Sequence, residues 1–344
     1  MNIGKVSDEF FRRNIAGKLG APAADLVVGP AMGVDAAVIK VGEQYMVVAE
    51  DPIFPVPGLP LRDFGWFTVH IGASDVAVLG VKPRYMTYSL LVPPATPEDD
   101  LAEIISSISE TAAEEGITIV GGHTGYYPAV TVPTIGGVTV WGFGDEVVTP
   151  AGAQVGDEVI ITKGAAIEAA GLLAQVYGDD MLAAGIDPEI VREAAAMVYE
   201  MSVIREALLA VEVGGVHAMH DATEGGVLRG LHEVAVASRV GLRIDAEAIF
   251  VPPAAKVTCQ HFGIDPLVSI SEGTMVMTCS PSVTGEMMRA FDRAGIRAAV
   301  VGEVVPEAAG RKLLRDGREE ELTVPDRDPF WEVFFRDLLA REGA

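Results

Sequence analysis

Residues 214–235 read Gly-Gly-Val-His-Ala-Met-His-Asp-Ala-Thr-Glu-Gly-Gly-Val-Leu-Arg-Gly-Leu-His-Glu-Val-Ala, and the rest of the chain is organised around this stretch. Val216 to Met219 has the character of a short strand. His220, Asp221, Thr223 and Glu224 then crowd a tight turn, and Gly225-Gly226 opens a helix. Val227, Leu231, Val234 and Ala235 recur at helical spacing, and Gly241 falls just past the predicted end. A strand that turns through Gly-Gly into a helix aims free backbone N–H groups at an anion. His220, Asp221 and Glu224 are the side chains there that could hold a metal or move a proton. The plainer alternative is a glycine turn with Thr223 as helix cap. An acid-rich turn joined to an anion-receptive helix start favours metal-bound phosphate.

Upstream of this stretch, a short amphipathic helix (Phe10, Phe11, Ile15, Leu19) precedes Met32–Ile39, a glycine turn leading into a strand. Tyr45–Glu50 is a second strand, closed by Asp51-Pro52. The Gly42-Glu43 link makes the two a hairpin. Pro52–Pro60 is a loop by its prolines. A helix from Asp63 carries Phe64, Phe67, Thr68, Ile71 and Val78 on one stripe, and Asp75 falls on that stripe too. A carboxylate on a buried face is costly unless donors or a cation meet it, so Asp75 is read as a site residue rather than the cap of a neighbouring helix. Arg84–Val92 is a strand, Thr96-Pro97-Glu98-Asp99 starts a helix to about Glu115, and Ile117–Val120 delivers a second glycine turn, Gly121–Gly125. Val130–Phe143 is a long strand broken at Gly136-Gly137.

Thr149–Gly156 marks the boundary between domains 1–150 and 151–344. The second half runs strand 157–162, Lys163-Gly164, helix 166–177 and helix 187–201 up to the central stretch. Beyond it come a strand near 242–244, a helix near 254–262, Ser271-Glu272-Gly273, strand 274–279, helix 282–294 and strand 298–304. A helix from Pro329 to about Arg341 ends the chain. Strands interleave with helices in both halves, which argues for an α/β class with α+β layers.

The composition narrows the function. Hydrophobic residues make up 49% of 344, excluding a disordered chain. Twenty-five basic against 49 acidic residues give a net charge of −24, which repels nucleic acid and anionic lipid. No signal-peptide core and no run of about 18 apolar residues is present, so the sequence reads as soluble and cytoplasmic. Cys259 and Cys279 have no spacing for a zinc site or disulfide framework and read as small apolar core residues. His217 and His220 fall on opposite faces of a strand, which disfavours zinc. His70 and His261 read as ordinary packed or surface histidines. Gly-x-Ser-x-Gly, the P-loop and the dinucleotide fingerprint are all absent. What remains is a set of acids at strand or turn ends (Asp35, Asp51, Asp75, Asp221 and Glu272), two glycine turns, and Lys163 just after a strand. Hard oxygen ligands of this kind suit Mg²⁺ bridging to phosphates.

Six segments occur in the order found in the AIR-synthase (PurM-like) superfamily: Gly33-Val-Asp35-Ala-Ala-Val, Glu50-Asp51, Gly72-Ala-Ser74-Asp75-Val-Ala-Val-Leu-Gly80-Val-Lys-Pro83, Gly121-Gly-His-Thr124, His220-Asp-Ala-Thr-Glu-Gly-Gly226 and Ser271-Glu-Gly273. The sequence resembles that superfamily, and within it most of all the hydrogenase-maturation HypE branch. The resemblance implies a two-domain fold, with an N-terminal dimer-forming barrel half and a C-terminal α/β domain. ATP and Mg²⁺ would lie between the domains. It implies that Asp35, Asp51, Asp75 and Asp221 serve the metal, and that Gly122, His123, Thr124, Lys163, Thr223, Glu224, Gly225 and Gly226 help hold the nucleotide. His220, Asp221 and Glu272 carry the chemistry in this reading.

The implied reaction is phosphoryl transfer from ATP to an amide, carbonyl or phosphate oxygen of an unidentified small-molecule or protein acceptor. A homodimer is implied, without nucleic acid or membrane. A thiamine-monophosphate-kinase-like enzyme and a nucleotide-binding scaffold without turnover remain as alternatives. Three departures bear on the choice. Val34 stands where the superfamily has a second acid, and His123 replaces the acid of a Gly-Asp-Thr turn. Where the branch has a terminal Pro-Arg-Ile-Cys this sequence has Ala340-Arg-Glu-Gly-Ala344, so either the acceptor is expected to be another molecule or the substrate differs. Selenophosphate synthetase is disfavoured because no cysteine precedes the first glycine turn.

Overall fold

The computed structural model describes residues 4–31, 33–54, 59–130 and 135–336. They divide into two compact units. Residues 23–29 and 35–147 form one, here the N-terminal unit. The residues before 23, those at 30–34 and those from 148 onward form the other, the C-terminal unit. No helix among the described residues is long and apolar enough to cross a membrane. Helix α1 (Asp8–Asn14) belongs to the C-terminal unit and is capped by the Ser7 hydroxyl, which accepts from the Phe10 N–H. It is shorter than the sequence pattern suggests. It buries no residue, and Leu19 lies beyond its end.

The N-terminal unit is one open sheet with two helices. Strands β1 (Leu26–Val28), β2 (Ala37–Val41) and β3 (Gln44–Ile53) precede helix α2 (Leu61–Ala77). Strand β4 (Tyr85–Val92), helix α3 (Glu98–Glu114), and strands β5 (Thr118–Tyr126) and β6 (Ile135–Gly144) follow. The order β1-β2-β3-β6-β4-β5 is antiparallel except for the β4–β5 pair, whose parallel pairing is made by the α3 crossover. The sheet does not close on itself; β1 and β5 are its edges. The β2–β3 hairpin turns through Gly42-Glu43, with Gly42 at φ +62°.

Three readings of the sequence change here. The strand taken to close at Asp51 continues to Ile53, pairing Asp51 with Val138 and Pro52 with Gly137. Gly136-Gly137 is no break: both lie inside β6, and a Cβ on Gly136 would sit 1.8 Å from the Ser89 carbonyl oxygen. Gly121–Gly125 is not a turn but the second half of β5, where Gly122, His123 and Thr124 pair with Tyr88, Ser89 and Leu90. Gly122 has φ +147°, and a Cβ there would meet the Tyr88 carbonyl oxygen at 2.1 Å. Close strand approach, not phosphate access, requires that glycine. The predicted loop residues 55–58 and the start of the predicted long strand, 131–134, lie outside the described residues.

The C-terminal unit holds a seven-stranded sheet flanked by helices. Its elements are β7 (Glu158–Thr162), α4 (Ile167–Ala183), α5 (Pro188–Ala196), α6 (Ile204–Val213), β8 (Val216–Asp221), α7 (Gly226–Ser238) and β9 (Gly241–Asp245). They continue with α8 (Pro253–Phe262), β10 (Met275–Cys279), α9 (Pro281–Arg293), β11 (Ala298–Val305), β12 (Arg311–Arg315), β13 (Arg318–Glu321) and α10 (Pro329–Phe334). The strand order is β13-β12-β9-β11-β7-β10-β8, antiparallel except for β9–β12. Val227, Leu228, Leu231, Val234 and Ala235 of α7 enter one apolar core with Val159, Ile161, Leu242, Val276 and Val304. The helix expected at 166–177 runs on to Ala183, but its backbone leaves helical geometry at Tyr177. The helix expected at 187–201 ends at Ala196 and finishes as a 3₁₀ turn to Glu200.

Candidate functional site

Candidate residues lie in both units. In the N-terminal unit, strand alternation sends Glu50 and Asp51 of β3 to opposite faces. Glu50 accepts from the Thr139 hydroxyl, its cross-strand partner on β6. Asp51 turns toward α2, where a Cβ added to Gly72 would lie 3.6 Å from its Oδ2 and 3.0 Å from Val140 Cγ2. Gly72 thus lets α2 come down beside this carboxylate. Asp75 stands one turn further along α2, half-buried in line with the half-buried Ile71, while Gly72 to Ser74 and Val76 to Leu79 are fully covered. It therefore sits on the more open line of a helix buried on nearly every other side, not within its buried stripe. Asp35 is half-buried just before β2. His123 lies exposed on edge strand β5, with Nε2 2.5 Å from the Tyr127 hydroxyl.

In the C-terminal unit the central turn and Ser271-Glu272-Gly273 dock on each other. The Thr223 carbonyl accepts from the Ser271 and Gly226 N–H groups, and Thr274 O accepts from Ala222 N–H at 2.7 Å. The Ser271 and Thr274 hydroxyls are 2.8 Å apart, and the Thr274 hydroxyl donates to Gly164 O. A Cβ on Gly226 would fall 2.6 Å from Ser269 O, and one on Gly273 2.2 Å from Glu200 O. At φ +65° and +95° both positions require glycine, Gly226 against the segment that leads to Ser271 and Gly273 against the Glu200 carbonyl. Around it His220, Asp221 and Glu272 are all buried, at 4%, 1% and 5% exposure.

The open helix start does not survive in the structure. The Gly225 N–H donates to Asp328 Oδ2 at 2.6 Å, the Gly226 N–H to Thr223 O, and the Leu228 N–H to Leu267 O. Asp328 is also the cap of α10, its Oδ1 accepting from Phe330 N–H. Burial, reinforced by the nearby Glu224 and opposed by these N–H donors, pushes its carboxyl up to about 6. Thr223 does not cap α7 either. Its hydroxyl accepts from Lys5 Nζ, and both Glu224 oxygens accept from the Lys5 backbone N–H at 3.0 Å. The polar groups of 223–226 thus anchor residues near both ends of the described chain. Lys163 is likewise engaged: its Nζ lies 2.8 Å from Glu206 Oε1 and donates to the Glu200 and Ser202 carbonyls. An ammonium has three donors, and all three are placed.

Two residues of this region were not legible in the sequence. Val276 of β10 contacts α7 at Gly230, where a Cβ would sit 3.4 Å away, and His220 is the cross-strand partner of Val276. Cross-strand partners share a face, so His220 points toward α7 as well. Glu233, one turn beyond Gly230, meets it: His220 Nε2 to Glu233 Oε2 is 2.8 Å. Burial raises the Glu233 carboxyl, but the His220 hydrogen bond and charge, with Lys5 and Arg229 further off, outweigh it and hold it below its ordinary value. Glu168 is the second. It accepts from the Glu272 N–H at 2.9 Å, and burial, with Asp328 and Glu224 adding to it, pushes its carboxyl up to about 8.

A two-unit α/β chain with docked His-Asp-Ala-Thr-Glu-Gly-Gly and Ser-Glu-Gly turns defines a class. Residues 33–143 match the N-terminal domain, and residues 154–313 the C-terminal domain, of AIR synthase related proteins; the chain belongs to this family. Within it, the chain is 30% identical to the carbamoyl dehydratase HypE of Cupriavidus necator, over 78% of this chain and 75% of that one. It is 29% identical to the carbamoyl dehydratase HypE of Escherichia coli, over 81% and 80%. The crystal structure of E. coli HypE, a hydrogenase maturation protein, superposes with a TM-score of 0.72 at 25% identity, covering 84% of this chain and 88% of that one. HypE in complex with ATP (TM-score 0.70, 22%, covering 93% of each) and AaThiL with AMPPCP and TMP (0.69, 17%, covering 86% and 91%) share the fold.

Proposed function

We propose that this protein is an ATP-dependent enzyme of the HypE-like branch, one that transfers phosphate to an amide or carbonyl oxygen and so turns that oxygen into a leaving group. The observation that carries the reading is the docked pair of turns, which buries His220, Asp221 and Glu272 together in the C-terminal unit beside the His220–Glu233 hydrogen bond. Relatives near 30% identity named carbamoyl dehydratase, and a shared fold with an ATP complex, support it. The kinase alternative rests on fold likeness at 17% identity and is the weaker reading.

The donor set suits magnesium. Asp51, Asp75 and Asp35 offer hard carboxylate oxygens in the N-terminal unit, and Asp221 offers another in the C-terminal unit. When bound, magnesium would neutralise charge on the phosphates. The protein's own work is to hold that donor set and to exclude water. His220 would take one N–H proton of the amide as its oxygen attacks the γ-phosphate and ADP leaves, and Glu272 would take the second as the C–O bond breaks to leave a nitrile, handing it to the departing phosphate. Gly122, His123 and Thr124 would contact the nucleotide along the exposed strand β5. The satisfied Lys163 ammonium and the occupied N–H groups of Gly225 and Gly226 are left out of this scheme. The test is ADP release by the purified protein with ATP, Mg²⁺ and a panel of primary amides and protein carbamoyl groups. Amide-dependent ADP release that Asp221→Asn abolishes is expected. ADP release that responds to thiamine phosphate and to no amide would favour the kinase reading.

A further inference from the structure

We infer that Glu168 is a positioning residue for Glu272: its side chain ties the Ser271-Glu272-Gly273 turn to the first turn of α4, and so fixes where the Glu272 carboxyl stands. The inference rests on the role proposed above for Glu272, as acceptor of the second amide proton.

Both ends of this tie are held in place. Ile167, Ala169 and Ala170 beside Glu168 are fully buried, which packs the start of α4 against its surroundings. The loop before it keeps Lys163 and Ala166 at φ +56° and +61°, left-handed backbone that a non-glycine residue adopts only where the surrounding structure enforces it. On the other side Ser271 and Thr274 are fully buried as well. Gly273 stands against the Glu200 carbonyl, which itself accepts from Lys163 Nζ. The two segments are joined by the Ala169 N–H donating to Ile270 O at 3.1 Å, and by the Thr274 hydroxyl donating to Gly164 O. Between these lies the Glu272 N–H, which donates to Glu168 Oε2 at 2.9 Å. Of these bonds it alone grips the residue whose carboxyl is to act, so a shift of that peptide carries the carboxyl with it. A carboxyl oxygen accepts whether the group is ionised or protonated. The tie therefore depends on reach, not on charge: Gln retains it, and Asp falls one methylene short. Misplacing a reacting group by about 1 Å is enough to cost about 100-fold in rate.

The test uses the full chain, as wild type, Glu168→Gln, Glu168→Asp and Glu168→Ala, at neutral pH and with two readouts. Hydrogen exchange of the Glu272 amide reports the tie itself. The Thr274 and Met275 amides, held by Ser271 O and Thr162 Oγ1, serve as internal references. Amide-dependent ADP release gives kcat and the KM for ATP. Glu168→Gln is expected to keep the wild-type exchange rate at Glu272 and a kcat within about threefold. Glu168→Asp and Glu168→Ala are expected to exchange that hydrogen about tenfold faster and to lower kcat about 10- to 100-fold, with KM for ATP within about twofold. A kcat in Glu168→Gln as low as in Glu168→Ala would overturn the inference, because charge and not the acceptor would then matter. So would a Glu168→Asp that matches the wild type, a loss carried by KM, or an unchanged Glu272 amide in Glu168→Ala. Should Glu168→Ala fail to fold, the Gln and Asp variants decide between them. A wild type that releases no ADP with any amide would defeat the proposed function, and the Glu272 amide would then judge the tie by itself.

Discussion

Replacing Glu168 by Gln separates the charge of this side chain from its shape. Gln can still accept the Glu272 N–H through its carbonyl, so the 2.9 Å hydrogen bond is kept. The wild-type carboxyl stands at about 8 in the fold against an ordinary 4.5. A raised folded value means that the native state binds the proton more tightly than the unfolded chain. The associated stability is fully present below pH 4.5 and is lost as pH rises through about 8. At ~1.4 kcal/mol per pH unit the whole loss amounts to ~5 kcal/mol at most, and part of it is relieved because the side chain is only half-buried. Glu168→Gln has no such loss. Urea unfolding of both proteins between pH 5 and 9 therefore has a defined outcome. The two should be close at pH 5, and the variant should gain steadily to ~2–5 kcal/mol above the wild type near pH 9. A stability difference that does not change with pH would refute the reasoning, as would a variant that is weaker throughout.

Other perturbations follow from the same geometry. Lys163→Met leaves Glu206 buried at 4% exposure without its cation, and should cost ~3–5 kcal/mol in urea unfolding while ATP affinity stays within twofold. Gly122→Ala drives a Cβ into the Tyr88 carbonyl at positive φ and should cost ~1–3 kcal/mol, with faster amide exchange confined to β4 and β5. Glu224→Ala removes the acceptor of the Lys5 N–H, and limited trypsin digestion should then cut after Lys5 several-fold faster than in the wild type.

Much of the fold was legible because its signals are local. Alternation and a two-residue Gly-Glu link specify the β2–β3 hairpin, and Thr-Pro-Glu-Asp marks the start of α3 within a couple of residues. Helix α6 lacked such marks: Val203 precedes it with no side-chain cap, and its buried Glu206 spoils the apolar pattern. Missing α6 also hid the partner of Lys163, whose ammonium then looked available to phosphate. Glycine was the most ambiguous letter. At Gly225-Gly226 it does make a turn into a helix, yet the N–H groups exposed there are taken by Asp328 and by carbonyls from 223 and 267. At Gly122 and Gly136 it marks strands lying against neighbouring carbonyls. Glu233 lies 13 positions from His220 in sequence, and only the pairing of His220 with Val276 shows that the two meet. The candidate acids were proposed by type and order, and the ones on otherwise covered elements are the most telling, because a carboxylate there is costly unless donors or a cation meet it.

Calorimetric titration of ATP, with and without Mg²⁺, into the wild type and Asp51→Asn addresses the central claim most directly. Asp51 Oδ2 faces α2 beside Gly72, and Asn matches Asp in shape, so the variant should fold. Magnesium-dependent binding to the wild type, lost or weakened at least tenfold in Asp51→Asn, is the predicted result. Absence of ATP binding under either condition, or equal binding by the variant, would contradict it.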